Sequence, residues 1–180
     1  LVVTAQGHQT RTNAVTKPVV EEAIPGLEAA KVPPPPPGAD PDSPPVYVSG
    51  EHIDGHADGL VTVTGRGQLI RDMTVVQGEE LTYNRQTEVA TACQDVRINH
   101  NGNVFRGTRA ELHVPTYQGH FDEATYQVRL TGAHGQSSQI EFTGKDQMTL
   151  HDATYTLCDA KADGEYDWVM TADSVELDFE

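Results

Sequence analysis

Basic residues, aromatic residues and cysteine are all scarce in this chain, and each scarcity excludes something. Of 180 residues, 12 are Lys or Arg against 27 Asp or Glu, a formal net charge of −15. A protein that grips phosphates needs a basic stripe, so no nucleic-acid partner is expected. Aromatic residues make up 6% of the chain and hydrophobic residues 37%, little for a chain that closes a solid core around itself. No apolar run approaches the ~20 residues of a membrane helix. Two cysteines do not define a disulfide framework. There is no Gly-x-Ser-x-Gly elbow, Cys–His pairing, phosphate loop or dinucleotide fingerprint. No enzyme and no cofactor are therefore expected. Carboxylates are plentiful enough for a glycosidase-like pair, yet nothing in their spacing selects one. The first residue is Leu1, without an initiator Met or a basic-then-apolar leader, so a mature or trimmed piece is expected.

Proline is nearly absent from three quarters of the chain. Ten of the 11 prolines precede Val46, five of them in the run Pro33 to Pro37. Proline lacks the ladder N–H and is excluded from sheet interiors. Residues 1–45 are thus expected to be a largely irregular tail, with polyproline II over 31–45 and a short helix in 19–31 broken at Pro25-Gly26.

From residue 46 to 180 the period is two. Leu60 to Thr64, Glu88 to Ala92, Asp95 to Asn99, Arg109 to Val114, Glu123 to Leu130 and Ser174 to Phe179 all alternate apolar with polar. Gly65, Gly67, Gly78, Asn101-Gly102, Gly107, Gly119, Gly132, Gly135 and Gly144 mark the gaps. Gly78 and Gly107 begin two similar units, Gln77 to Tyr83 and Arg106 to Val114, which suggests a weak repeat. Such units cannot bury their apolar faces alone. They stack into an all-β sandwich, jelly roll or solenoid of antiparallel strands. Inward residues that are aliphatic and of modest size suit a slot between two sheets.

Alternation alone gives an inward set: Val61, Val63, Leu69, Leu81, Val89, Val96, Ile98, Leu112, Val128, Leu130, Ile140, Phe142 and Leu150. A register slip of one residue inverts any strand of it. The run from His52 to Asp58 holds two His and two Asp, but Gly55 and Gly59 forbid the helix that would align them on a metal. It reads as a solvated loop, and no metal site is expected. The acidic residues after Asp146 read as a solvated rim. Cys93, with Val89 and Thr91 on one face, reads as a small, at least half-buried hydrophobe. Cys158 ends an alternating strand and is available for a disulfide, while an unpaired thiol or a bridge to Cys93 stays open.

The run Met148 to Cys158, then Asp167-Trp168, then Ala172 to Asp178 resembles the end of the periplasmic domain of the LptD family, outer-membrane proteins of lipopolysaccharide assembly. Gly78 to Ala92 resembles the repeat of the wider OstA-like group, which includes LptA. The resemblance covers about residues 47–180, and the Cys–Trp element favours LptD over LptA. It implies an open β-jellyroll of two antiparallel sheets, at the periplasmic face of the Gram-negative outer membrane, through which lipopolysaccharide acyl chains slide. The inward set would then be the lipid-binding residues. It implies an LptA-type bridge protein paired to an edge strand, for which Val46, Tyr47, Val48 and Ser49, or Leu60 to Thr64, are the candidates. An LptE-type lipoprotein would meet the protein through a barrel that is not in this sequence. Cys158 matches the family cysteine that is bridged to the barrel. There are departures: no cysteine precedes Cys93, Cys93 stands where a small residue is usual, and the proline-rich tail has no counterpart. A β-solenoid or jelly-roll module for adhesion or protein interaction is the competing reading, and a carbohydrate-active enzyme using an acidic pair a weaker one.

Overall fold

A computed structural model describes residues 2–7, 10–12, 37–38 and 44–179. Among them there are twelve strands and no helix: β1 Val2–Gln6, β2 Thr10–Thr12, β3 Tyr47–Ser49, β4 His52–Gly55, β5 Leu60–Arg71, β6 Thr74–Asn84, β7 Val89–His100, β8 Asn103–His113, β9 Gln118–Gln127, β10 His134–Phe142, β11 Gln147–Tyr155 and β12 Val169–Asp178. All pairings are antiparallel. They join the strands into one sheet of order β1-β12-β11-β10-β9-β8-β7-β6-β5-β3, with β2 also on β12 and β4 also on β5. The sheet does not close on itself.

The long strands carry the period-two signal, but each is broken near its middle. Pairing shifts register between Thr64 and Gly67, between Gln77 and Glu80, and between Cys93 and Val96. Along β9, β11 and β12 the inward residues change phase: Phe121 then Ala124, Leu150 then Ala153, Ala172 then Val175 are all buried, three apart instead of two. Polar pairs fill the break, such as Glu79-Glu80, Gln94-Asp95 and Thr108-Arg109, all exposed. Arg66, Gln94, Asp95, Glu123 and Asp152 there take positive φ, between 47° and 62°. At Gly107 a side chain is impossible, since a Cβ would stand 2.5 Å from the Asp122 carbonyl.

This line of bulges folds the sheet into two leaves. The upper leaf holds 60–64, 80–84, 89–93, 109–113, 118–122, 139–142, 147–151 and 174–178; the lower holds 67–71, 74–78, 96–100, 103–107, 124–127, 134–137, 153–155 and 169–172. The two layers expected from the sequence are thus halves of one continuous sheet. Both leaves feed one apolar cluster, including Val63, Leu69, Ile98, Phe105, Phe121, Leu150 and Val175. Phe105 of the lower leaf meets Phe142 of the upper edge-to-face, ring centroids 5.4 Å apart.

Three local expectations change. Residues 2–6 and 10–12, placed in the irregular tail, run as strands along β12. The first proline is Pro18, so the argument from proline never applied to this β-branched start. Residues 37–38 form a turn, while the helix expected in 19–31 and most of the polyproline stretch lie outside the described residues. The expected loop at His52 is strand β4, paired to Val61 through Thr64. That pairing covers Leu60 to Thr64 on both sides, by β4 and β6, so it is no edge.

Candidate apolar slot and its edges

Of the inward set, Val63, Leu69, Leu81, Val96, Ile98, Leu112, Val128, Ile140, Phe142 and Leu150 are buried in the space between the leaves. Val61 is half-buried against the same core, but Val89 is half-buried on the other face of β7 and does not belong to the set: the inward residues there are Ala90 and Ala92, paired with the buried Tyr83 and Leu81. Leu130 is 73% exposed and does not belong to the set. Alternation from Val128 placed it inward, but β9 ends at Gln127 and the chain turns toward Gly132, whose amide bonds the Val128 carbonyl. The sequence reading missed Phe105, Phe121, Tyr126, Tyr155 and Leu177, all inward. Phe105, Phe121 and Tyr155 alternate in the opposite phase to Leu112, Val128 and Leu150 across a corner, while Tyr126 shares the phase of Val128 and Leu177 lies in the alternating run Ser174 to Phe179.

The interior is packed, not empty: Phe105, Phe121, Leu69, Leu81, Ile140 and Leu150 expose less than 2% of their surface. In the lower leaf β10 and β11 are not laddered, and a single bridge joins His134 to Thr156. There the buried Tyr126 hydroxyl reaches across Gly135 to donate to the Thr154 carbonyl at 2.6 Å. A side chain at Gly135 would collide with that carbonyl and sit 2.9 Å from the hydroxyl. Burial pushes the Tyr126 phenol far above its ordinary range.

At one end of the sheet β3 and β4 share the outer side of β5, and at the other β1 and β2 share that of β12. Val46, Tyr47 and Val48 are half-buried and Ser49 exposed, with Tyr47 to Ser49 laddered to Ile70 through Gln68. The chain then kinks at Gly50, held by the Glu51 amide on the Gly65 carbonyl and by the Arg66–Glu51 ion pair at 2.6 Å.

Cys158 lies past the end of β11, half-buried, with a free thiol. The Thr156 hydroxyl accepts from the Cys158 amide at 3.1 Å and donates to the Trp168 carbonyl at 2.8 Å, pinning both ends of the intervening loop. The Trp168 ring packs 6.3 Å from Tyr155. Cys93 is also free and half-buried, so the two do not bridge each other. His52 and Asp54 lie exposed on β4. Among the described residues no group of three or more His, Cys, Asp or Glu is gathered to hold a metal ion.

No family model matches the chain. Curated relatives do. The LPS-assembly protein LptD of Paracidovorax citrulli (strain AAC00-1) is 32% identical over 165 residues, 91% of this chain and 19% of the relative. LptD of Acidovorax sp. (strain JS42) is 35% identical over 136 residues, 74% of this chain and 17% of the relative. The chain belongs to the LptD family. LptD of Bordetella pertussis (strain Tohama I) matches 99% of it at 28% identity, and 22% of that relative is covered. The chain spans about a fifth of the length of these LptD relatives. Among solved structures, LptH of Pseudomonas aeruginosa, an LptA-homologous periplasmic component of lipopolysaccharide transport, has a TM-score of 0.47 at 15% identity, covering 55% of this chain and 76% of that one.

Proposed function

We propose that this chain is the periplasmic part of an LptD protein, which takes lipopolysaccharide by its acyl chains and passes it from a periplasmic bridge to an outer-membrane barrel. The observation that carries the reading is a continuous apolar interior between two leaves of a sheet that is not closed. Each buried CH₂ of an acyl chain returns about 0.8 kcal/mol, so an apolar interior is the whole requirement, with no catalytic group. The side chains that would meet acyl chains are the inward set without Val89 and Leu130, joined by Phe105 and Phe121. An LptA-type bridge would add its strand beside β3, Val46 to Ser49, where the sheet ends. Cys158, free and held at a strand end, would be bridged to a barrel cysteine, and an LptE-type lipoprotein would be met through that barrel. On this reading the chain works at the periplasmic face of the outer membrane.

The test is site-specific photo-crosslinking in the complete protein. Crosslinkers at Val63, Ile98 and Phe142 trap lipopolysaccharide if the interior conducts it. Adducts that form only from an outward position such as Arg97 would instead favour a surface-binding module.

A further inference from the structure

A packed interior admits an acyl chain only if the leaves part, and one cluster holds their outer ends together. Arg71, at the lower-leaf end of β5, is 8% exposed. Its Nη1 donates to the carbonyl of Val114, just past the upper-leaf end of β8. Its guanidinium carbon lies 5.6 Å from the centre of the Tyr117 ring, in the β8–β9 turn. Tyr117 in turn packs against the ring of His100, at the lower-leaf end of β7, with centroids 5.4 Å apart. Beside them Lys145 of the β10–β11 turn reaches Asp72 of the β5–β6 turn at 3.5 Å. Every one of these contacts joins the far end of one leaf to the far end of the other. Arg71 has one more partner: its Nε donates to the Pro44 carbonyl at 3.4 Å, in the segment that leads directly into β3.

We propose that Arg71 is the clasp that holds the two leaves together and that it couples strand addition beside β3 to their opening. The proposal rests on the functional reading above and adds the residue that controls entry. A strand added outside β3 pulls on residues 44–49. The longer of the two Arg71 bonds, to Pro44, yields first, and the guanidinium that remains is less well oriented toward Val114. Charge-assisted bonds from a buried guanidinium are worth more than neutral ones, so their loss shifts the closed–open balance measurably. The exposed Lys145–Asp72 pair contributes little by comparison.

The test uses the complete protein with a photo-crosslinker at Phe142 and lipopolysaccharide as the probe, comparing wild type, Arg71→Met, Val48→Pro and the double variant. Arg71→Met is expected to raise the adduct yield at least about tenfold, the shift for losing one charge-assisted bond from a buried guanidinium. Val48→Pro, which prevents strand addition, is expected to lower the yield when Arg71 is present and to change it little in the Arg71→Met background. Tyr117→Leu should act in the same direction as Arg71→Met. Hydrogen exchange serves as the folding control, with the amides of Val114, Thr116, Tyr117 and residues 46–49 deprotected in Arg71→Met while that of Leu150 stays protected. An unchanged yield in both Arg71→Met and Tyr117→Leu, or an equal drop from Val48→Pro in both backgrounds, overturns the clasp while leaving lipid conduction standing. Absence of adduct from every protein overturns the functional reading and the clasp with it.

Discussion

His100 is a titratable side chain buried where the far ends of the leaves meet. Its Nδ1 lies 2.6 Å from the Thr74 hydroxyl, and its Nε2 is out of solvent without a hydrogen bond of normal geometry. Burial pushes the imidazole below its ordinary 6.5, opposed in part by Asp146, by the Lys145 backbone and by Asp72, while the Lys145 ammonium lowers it further. The sign of the pH effect follows. Below 6.5 the unfolded chain takes up a proton that the folded ring resists, so stability present above that pH is lost as pH falls toward the folded value. The thermal midpoint should therefore drop between roughly pH 7.5 and 5.5, and His100→Gln should flatten that drop. Parallel melting curves with equal slopes for the two proteins would refute it. None of this was legible in Asn99-His100-Asn101-Gly102, which reads as an ordinary turn. The ring is buried by Tyr117 from the next hairpin and by the β10–β11 turn, and no local pattern announces that the ends of two leaves cross there.

Among the elements, the corner decided which expectations held. Period two was read correctly on both sides of it, which is why Leu81, Val96, Ile98 and Ile140 are where alternation put them. The phase change was not legible, because a bulge adds a residue without a reliable sequence mark. Glycine marks it in Gly67, Gly78 and Gly107, but β9 turns the same corner with Glu123 at φ 49° and β11 with Asp152 at 47°. An L-residue in that region costs about 1–2 kcal/mol, whereas glycine costs about 0.5–1 kcal/mol in chain entropy. Glu123 is exposed at its corner. Glu123→Gly is therefore expected to stabilise the protein by about 0.5–1 kcal/mol, read as a higher urea midpoint at unchanged slope. The same substitution at Glu111, in the regular part of β8, should destabilise by a similar amount. If both variants lose stability alike, the corner is not strained and the bulge is set by packing alone. Edges were less legible than corners. Val46 to Ser49 was recognisable as a terminal strand, but Leu60 to Thr64 looked equally free until His52 to Gly55 proved to be the strand that covers it.

Taken whole, the molecule joins a closed apolar interior to a strongly acidic chain. The net charge of −15 was legible from composition, and on the proposed function its consequence concerns how an anionic lipid approaches. Lipopolysaccharide carries phosphates on its head group, and a surface of this sign repels them at distances up to the Debye length, about 10 Å at 0.1 M salt. A transporter that grips phosphates with a basic groove binds more slowly as salt rises, because screening removes the attraction. If the acyl chains are what is gripped, the dependence has the opposite sign. Raising monovalent salt from roughly 20 to 200 mM should speed association with lipopolysaccharide, since screening weakens repulsion and leaves apolar burial intact. The measurement is the association rate of the complete protein with lipopolysaccharide across that range, with a neutral acyl lipid as the reference whose rate should hardly change. Association that slows with salt would mean that a local basic patch captures the head group first. Arg71 and Lys145 at the crossing of the leaves would then be the place to look, and the acyl chains would enter second.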